Sequence, residues 1–425
     1  MHVIVALLNI AFLGFIFYRV WRVEKIPLRR FFWPALSLKL IAGIGLGLVY
    51  SHYYSTGDTF NYFNDGVKIA RLATEDVVAF VRFLWAGDDS FSLSSDLLYK
   101  QPRAMFLAKV TSVFCLLTAN NYWVISLYFS AISFVSAWLL VRKIVERNNL
   151  LAPAVVSFLF FPSVVFWSAG IIKESLAMAA LFFLSFIVLK IWRREKIKLM
   201  EWTLAIIAMW ILWNLKYYYL AIFLPVVCTS LLVREIFKYY TPKSSLQKIG
   251  LWCGVFVVPV VLVTMLHPNF YPERFMGVLV SSYYEFVALS NPNDIIHYHA
   301  LEATPFSVVM NMPLALVSGL YRPFLIEVQT VFQFFIALEN LVLLILSLTA
   351  LVQIHRGIGR ERLLLFSILI YTILLCIFLA LSTPNFGTLS RYRVGFLPFL
   401  VFLLTLENPL IIRIMSSNLF RNLVR

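Results

Sequence analysis

The sequence predicts an all-α, polytopic transmembrane protein, and three observations carry that prediction. Of its 425 residues, 61% are hydrophobic and 13% charged, with a mean hydropathy of +0.85. A soluble domain is about half apolar and a quarter charged, so this much apolar surface has to be solvated by lipid. Apolar runs also recur at the length a helix needs to cross a hydrocarbon core about 30 Å thick, roughly 20 residues. The formal charge of +15, finally, is unevenly spread: 23 Lys and Arg fall on six short segments, 19–30, 142–147, 190–198, 234–248, 355–362 and 413–425. Those segments and their edges hold only Glu24, Glu146, Glu195, Glu201, Glu235, Glu361 and Glu407. Lys39 and Glu339 lie inside apolar runs, and the rest of the chain is near neutral, with 12 bases and 13 acids. That is the positive-inside distribution of a membrane protein, and no nucleic acid is needed to explain it. The composition excludes a cytosolic enzyme, a secreted disulfide scaffold and a disordered chain.

Taken in order, the runs predict about eleven spans with the N-terminus outside and the C-terminus inside: 2–18, 32–51, 122–141, 151–168, 173–190, 202–216, 217–233, 250–266, 331–353, 363–381 and 394–408. The first is expected to be a retained span. It lacks a basic n-region and a small-residue cleavage site, and Arg19, Arg22, Lys25, Arg29 and Arg30 follow it. The chain reads as one transmembrane domain, 1–425, with two longer outer-face segments, 52–121 and 267–330. In the first of these, Val67, Ala70, Val77, Val78 and Val81 have the spacing of an amphipathic helix over 66–85 on the membrane surface. AGDDSFSLSSD reads as a solvated loop. The apolar stretch 103–118 reads as a juxtamembrane helix, because the next span has to begin outside near Asn121 and end inside at Arg142. In the second segment, polar HPNFYPERF and NPNDIIHYHALEATP precede an apolar stretch, 306–320, that is a candidate re-entrant segment. Cys115, Cys228, Cys253 and Cys376 sit in apolar runs without metal-ligand spacing and read as small hydrophobes. Trp21, Trp85, Trp123, Trp167 and Tyr217 to Tyr219 mark span ends as an interfacial aromatic belt.

Ionisable groups at the membrane edge are costly and usually face a cavity or a partner, so they are the candidate site. Asp58, in GDTFNYFND, directly follows the second span, with Tyr62 and Asp65 close behind. It reads either as a general base or cation ligand, or as part of a helix start in which Asp58 or Thr59 is the N-cap. In FFPSVVFWSAGIIKESLA, a short outer turn holds Lys173 and Glu174. They form either an ion pair beside a helix starting at Ser168, or a cation facing an anionic lipid head. Lys216, in WNLKYYYL, is explained by snorkelling to the interface. In GLYRPFLIEVQ, Arg322 either pairs with Glu327 or binds phosphate. In STPNFGTLSRYRVGFLPFL, Pro384, Asn385 and Gly387 make an outer turn. Arg391 and Arg393 beside it break the positive-inside bias and call for an anion, with a lipid-carrier phosphate favoured over general acidic headgroups. His297 and His299 read as solvated histidines. A phosphate-binding glycine loop, a zinc-binding HExxH and a serine nucleophile elbow are all missing from the sequence.

The stretch GDTFNYFNDGVKIA resembles the first outer loop of the type C glycosyltransferases, polytopic enzymes that use polyprenyl-phosphate sugars. KQPRAMFLAKVTSVFCLLTANNYWVISLYFSAISFVSAWLLVRKI is similar to that family's juxtamembrane helix and following span. NFGTLSRYR and PSVVFWSAGIIKESLA are similar to motifs of membrane glycosyltransferases and polysaccharide polymerases. The likeness covers 50–180 and 380–400. It departs from the family in having an extra span ahead of the Asp loop, and in Thr59 rather than a second Asp after Asp58. The resemblance implies sugar transfer from a polyprenyl-phosphate donor to a glycan, lipid or protein acceptor, at the outer face of a bacterial inner membrane. Asp58 would act on the acceptor hydroxyl, and Arg391, Arg393, Arg322, Lys173 and Lys216 would hold the lipid phosphate. Asp65, Glu174, Tyr62 and Asn385 would support them. No metal ligand set is expected, and a divalent cation at Asp58 is left open. The alternatives are a polymerase using diphosphate-linked donors, and a lipid or solute transporter.

Overall fold

Backbone amides inside a bilayer have no water to bond, and a helix is the form that satisfies them within one segment. The computed structural model describes residues 2–53, 58–85, 96–146, 150–240, 242–266, 271–351 and 362–416. Among these residues all regular structure is helical, apart from one isolated antiparallel bridge, Ile295 to Asn385. Most of the AGDDSFSLSSD loop, HPNF at 267–270, the basic stretch 355–361 and the tail 417–425 lie outside the described residues.

The chain divides into two compact units, Met1–Tyr218 and Tyr219–Arg425. The first begins with α1 (His2–Val23), α2 (Phe32–His52), α3 (Asp58–Glu75), α4 (Val77–Trp85), α5 (Pro102–Thr118) and α6 (Tyr122–Val145). It continues through α7 (Leu151–Val155), which runs into a π-helical turn over Val156–Phe160, then α8 (Pro162–Trp167) and α9 (Lys173–Trp192). The helix α10 (Leu199–Ile236) is broken only at Lys216, whose φ of −144° and ψ of 63° are not helical. The second unit holds α11 (Ser245–Leu266), α12 (Pro272–Leu289), α13 (Pro305–Tyr321), α14 (Val331–Leu351), α15 (Arg362–Ser382), α16 (Phe386–Tyr392), α17 (Leu397–Thr405) and α18 (Pro409–Ser416).

Among the described residues, eight helices are long and apolar enough to cross a membrane, namely α1, α2, α6, α9, α10, α11, α14 and α15, and a ninth candidate is the bent pair 386–395 and 397–405. α1 leaves Leu7, Leu8, Phe12 and Phe15 exposed. In water that would be a large unpartnered apolar surface, whereas in lipid it costs nothing.

Several expected elements differ in detail. The spans expected at 202–216 and 217–233 do part at Lys216, where the backbone leaves the helical region between two helices. The one expected at 151–168 is interrupted at Phe161, where the backbone turns extended (φ −65°, ψ 122°) ahead of Pro162. The proline explains the interruption, because the residue before proline is pushed out of the helical region. The amphipathic helix expected over 66–85 is two helices that part at Asp76, whose carboxylate accepts the amides of Val78 and Ala79 and so starts α4. The segments 103–118 and 306–320 are both helices. α5 packs against α3 closely enough that Gly66 lies against Thr111.

Contacts inside the first unit sort its helix ends into two groups. At one end the α6 start meets α3, through Tyr122 and Thr59 (hydroxyls 2.8 Å apart). At the other, Lys143 meets Glu146 and Glu195 at 2.5 and 2.7 Å, Lys190 meets Glu201 at 2.6 Å, and Trp138 donates to Glu24 at 2.8 Å. The turn 168–172 between α8 and α9 is packed deep between α2 and α6. Gly170 takes a φ of +69°, which glycine adopts without strain, and donates its amide to Ser130 Oγ at 3.0 Å. Ser126 Oγ donates to the Gly43 carbonyl at 3.0 Å. Lys39, 6% exposed within α2, donates to the Val165 carbonyl at 3.3 Å and to Ser168 Oγ, placing its charge at the C-terminal end of α8. Gly43 makes the close approach possible, since a Cβ there would collide with Ser130 Oγ, while one at Gly14 meets nothing. Gly43→Ala is expected to cost about 1–3 kcal/mol by overpacking and to lower the melting temperature, with Gly14→Ala as the unaffected control. Equal melting of the two variants would contradict this packing.

Candidate functional site

α3 starts at Asp58 and repeats polar side chains at Tyr62 and Asp65, a spacing of four and three that stacks them on one helix face. Asp65 is 1% exposed, and both its oxygens are committed: they accept the amides of Leu98 and Tyr99 at 3.1 and 3.0 Å. Lys68, 3.8 Å away, reinforces the link by donating to the Asp96 carbonyl at 2.7 Å. Asp65 therefore anchors the segment 96–99, which delivers Tyr99 to the site. The Tyr99 ring stacks on Tyr62 with centroids 4.7 Å apart, and its hydroxyl donates to Asp58 Oδ1 at 2.7 Å. Lys173 Nζ lies 5.5 Å from the Tyr62 ring centroid. A carboxylate, two stacked phenols and an ammonium thus form one connected group at the Tyr122 end of the first unit.

Lys173 and Glu174 have different contacts. Adjacent residues on a helix point apart, and α9 begins at Lys173 rather than at Ser168. Lys173 meets Tyr62, while Glu174, completely buried, forms an ion pair of 2.8 Å with Lys216. Lys216 does not snorkel: its side chain is 4% exposed and turned inward, because a buried carboxylate needs a countercharge to be tolerated. The non-helical break in α10 at this residue is what allows the inward turn. Thr59 does not serve as the expected cap, since its hydroxyl bonds Tyr122.

Sequence reasoning missed Tyr99 and Arg103. Tyr99 stands in LLYKQPR, which has no local motif; the amide bonds of Leu98 and Tyr99 to Asp65 help place it. Arg103, exposed in the first turn of α5, lays its guanidinium over the Tyr217 ring at 4.5 Å.

In the second unit, Arg322 and Glu327 form a forked pair, with Arg322 Nε donating to the two carboxylate oxygens at 2.9 and 3.1 Å. The guanidinium also lies 4.9 Å from the Phe386 ring. Glu327 further accepts the Phe324 amide at 2.8 Å, so the pair pins the turn after α13. Arg393 is fully buried and donates to Asn340 Oδ1 at 2.8 Å and to the Leu320 carbonyl at 3.3 Å. It is an interior tie between α13 and α14, with no exposed surface for a lipid phosphate to meet. Arg391 is 8% exposed, and Asn385 caps α16 by accepting the Thr388 amide at 3.0 Å. Asn385 also donates to Ser290 at 3.0 Å. The hydroxyl of half-buried Tyr298, close to Arg322, is shielded from solvent, which pushes the phenol well above the ordinary range, and Cys376 and Tyr283 add to this while the Arg322 charge opposes it.

Among the described residues no three His, Cys, Asp or Glu side chains converge to hold a metal ion. Both Asp65 oxygens are taken up by backbone amides. No protein family model, characterised protein or solved structure matches the sequence.

Proposed function

We propose that the protein is a membrane glycosyltransferase of the type C kind, which moves a sugar from a polyprenyl-phosphate donor to an acceptor hydroxyl on a glycan, lipid or protein. The observation that supports it is the linked group Asp58, Tyr99, Tyr62 and Lys173, a fixed carboxylate and a cation at one helix-bundle end. Asp58 takes the proton of the acceptor hydroxyl as its oxygen attacks the anomeric carbon. The bond from that carbon to the phosphate oxygen breaks, and polyprenyl phosphate leaves with the bonding electrons. Lys173 neutralises the charge growing on the phosphate, the step in which a preorganised cation contributes most. Tyr99 holds the carboxylate in one orientation.

The topology we propose has eleven crossings. It counts the limbs of α10 on either side of Lys216 as two, and the broken helices 151–167 and 386–405 as one each. The Lys143 end of the first unit, rich in bases, then faces the cytoplasm and the Asp58 group faces out. A bacterial inner membrane suits this arrangement.

Native mass spectrometry of the purified protein with polyprenyl phosphate tests the reading. Lys173→Ala is expected to weaken binding about tenfold, the scale of one charge-assisted contact. Absent binding, or equal binding by both proteins, would overturn it.

A further inference from the structure

The contacts around Asp58 lead, through neighbouring residues of α9 and α10, to Arg103. Tyr99 stacks on Tyr62, Tyr62 meets Lys173, Glu174 pairs with Lys216, and the next residue, Tyr217, carries the Arg103 guanidinium. Arg103 is four residues from Tyr99 in sequence, which limits their Cα separation to about 14 Å. α5 is held against α10 in this region by Phe106, edge-on to Trp210 with centroids 4.9 Å apart. Arg103 is therefore an oriented side chain on the same group as the carboxylate.

Its charge is oriented without being neutralised. Among the described residues no carboxylate lies within ion-pair distance of Arg103; its contact is the face of Tyr217. An aromatic face attracts and positions a guanidinium but carries no net charge, so the donors at the guanidinium edge keep their affinity for an anion. Glu174 and Lys216 cancel each other in the interior.

We propose that Arg103 binds a phosphate group, the planar fork of the guanidinium engaging two of its oxygens while Tyr217 holds the fork in place. The chemical class is a phosphomonoester or phosphodiester carried by a lipid, or free phosphate. The assignment rests on the glycosyltransferase reading only for the identity of that lipid.

The test measures binding of farnesyl phosphate and of inorganic phosphate to the full chain in detergent, for wild type, Arg103→Ala, Arg103→Lys and Lys173→Ala. Arg103→Ala is expected to weaken farnesyl phosphate binding at least tenfold, and Arg103→Lys to weaken it less, since the charge survives and the fork does not. Because Arg103 is exposed, both variants are expected to melt with the wild type. A lipid source is indicated if farnesyl phosphate binds at far lower concentration than inorganic phosphate, and a free anion if the two compete equally; either supports the assignment. Unchanged binding in Arg103→Ala, with Lys173→Ala weakened, would overturn this assignment alone. Sugar transfer by an Asp58→Asn protein at the wild-type rate would instead overturn the glycosyltransferase reading, whatever Arg103 binds.

Discussion

Asp58→Asn is expected to lower sugar transfer by about 10²–10⁴-fold, the range a general base supplies, while the protein expresses and melts like the wild type. The substitution keeps the shape of the side chain, and its amide oxygen still accepts from Tyr99. Only the capacity to take a proton is lost. The stability cost is that of one negative charge in a first helical turn, about 0.3–1 kcal/mol. Tyr99→Phe should fall between the two proteins: the carboxylate survives, but the hydrogen bond of 2.7 Å that orients it does not. Rates of transfer from a polyprenyl-phosphate sugar, measured for the three proteins in proteoliposomes, give this ordering or remove Asp58 from the mechanism.

The second large effect is on stability. Glu174→Gln removes the carboxylate that Lys216 meets at 2.8 Å, and breaking a buried pair in this way costs about 3–5 kcal/mol. Removing both charges, as in Glu174→Gln with Lys216→Met, should recover most of the loss, because two apolar or neutral groups need no partner. Thermal unfolding of the wild type, both single variants and the double variant gives the coupling energy directly. Losses that simply add in the double variant would show that the pair is not coupled. The pair also fixes the start of α9 and the break in α10, so the single variants are expected to loosen Lys173 and Arg103 together.

Where the sequence was informative, the signal came from residues whose placement is local. Long apolar runs require helix, and the runs at 2–18, 32–51, 122–141, 173–190, 250–266, 331–353 and 363–381 each coincide with a long apolar helix. Asp58 and Tyr62 are on one helix, so their shared face follows from spacing. Arg322 and Glu327 are five residues apart and pair as one of the two accounts expected. What escaped is tertiary. Lys216 finds Glu174 across forty-two positions of sequence, and Tyr99 reaches Asp58 only because Asp65 holds the backbone of Leu98 and Tyr99. Lys39 was visible as a charge inside an apolar run, but nothing nearby in sequence reveals that it meets the carbonyl of Val165. Arg393 carries the opposite lesson. Its charge and its place beside a turn suggested a ligand contact, whereas the buried amide of Asn340 supplies its partner from another helix.

The central claim is that a lipid monophosphate is the leaving group of a sugar transfer. The most direct test reconstitutes the wild-type chain with a labelled polyprenyl-phosphate sugar and an acceptor, and follows both products at once. The expected result is free polyprenyl phosphate released in a one-to-one ratio with glycosylated acceptor. Turnover of diphosphate-linked donors alone would contradict the claim in favour of a polymerase, and movement of the intact lipid-linked sugar across the membrane without bond cleavage would contradict it in favour of a transporter.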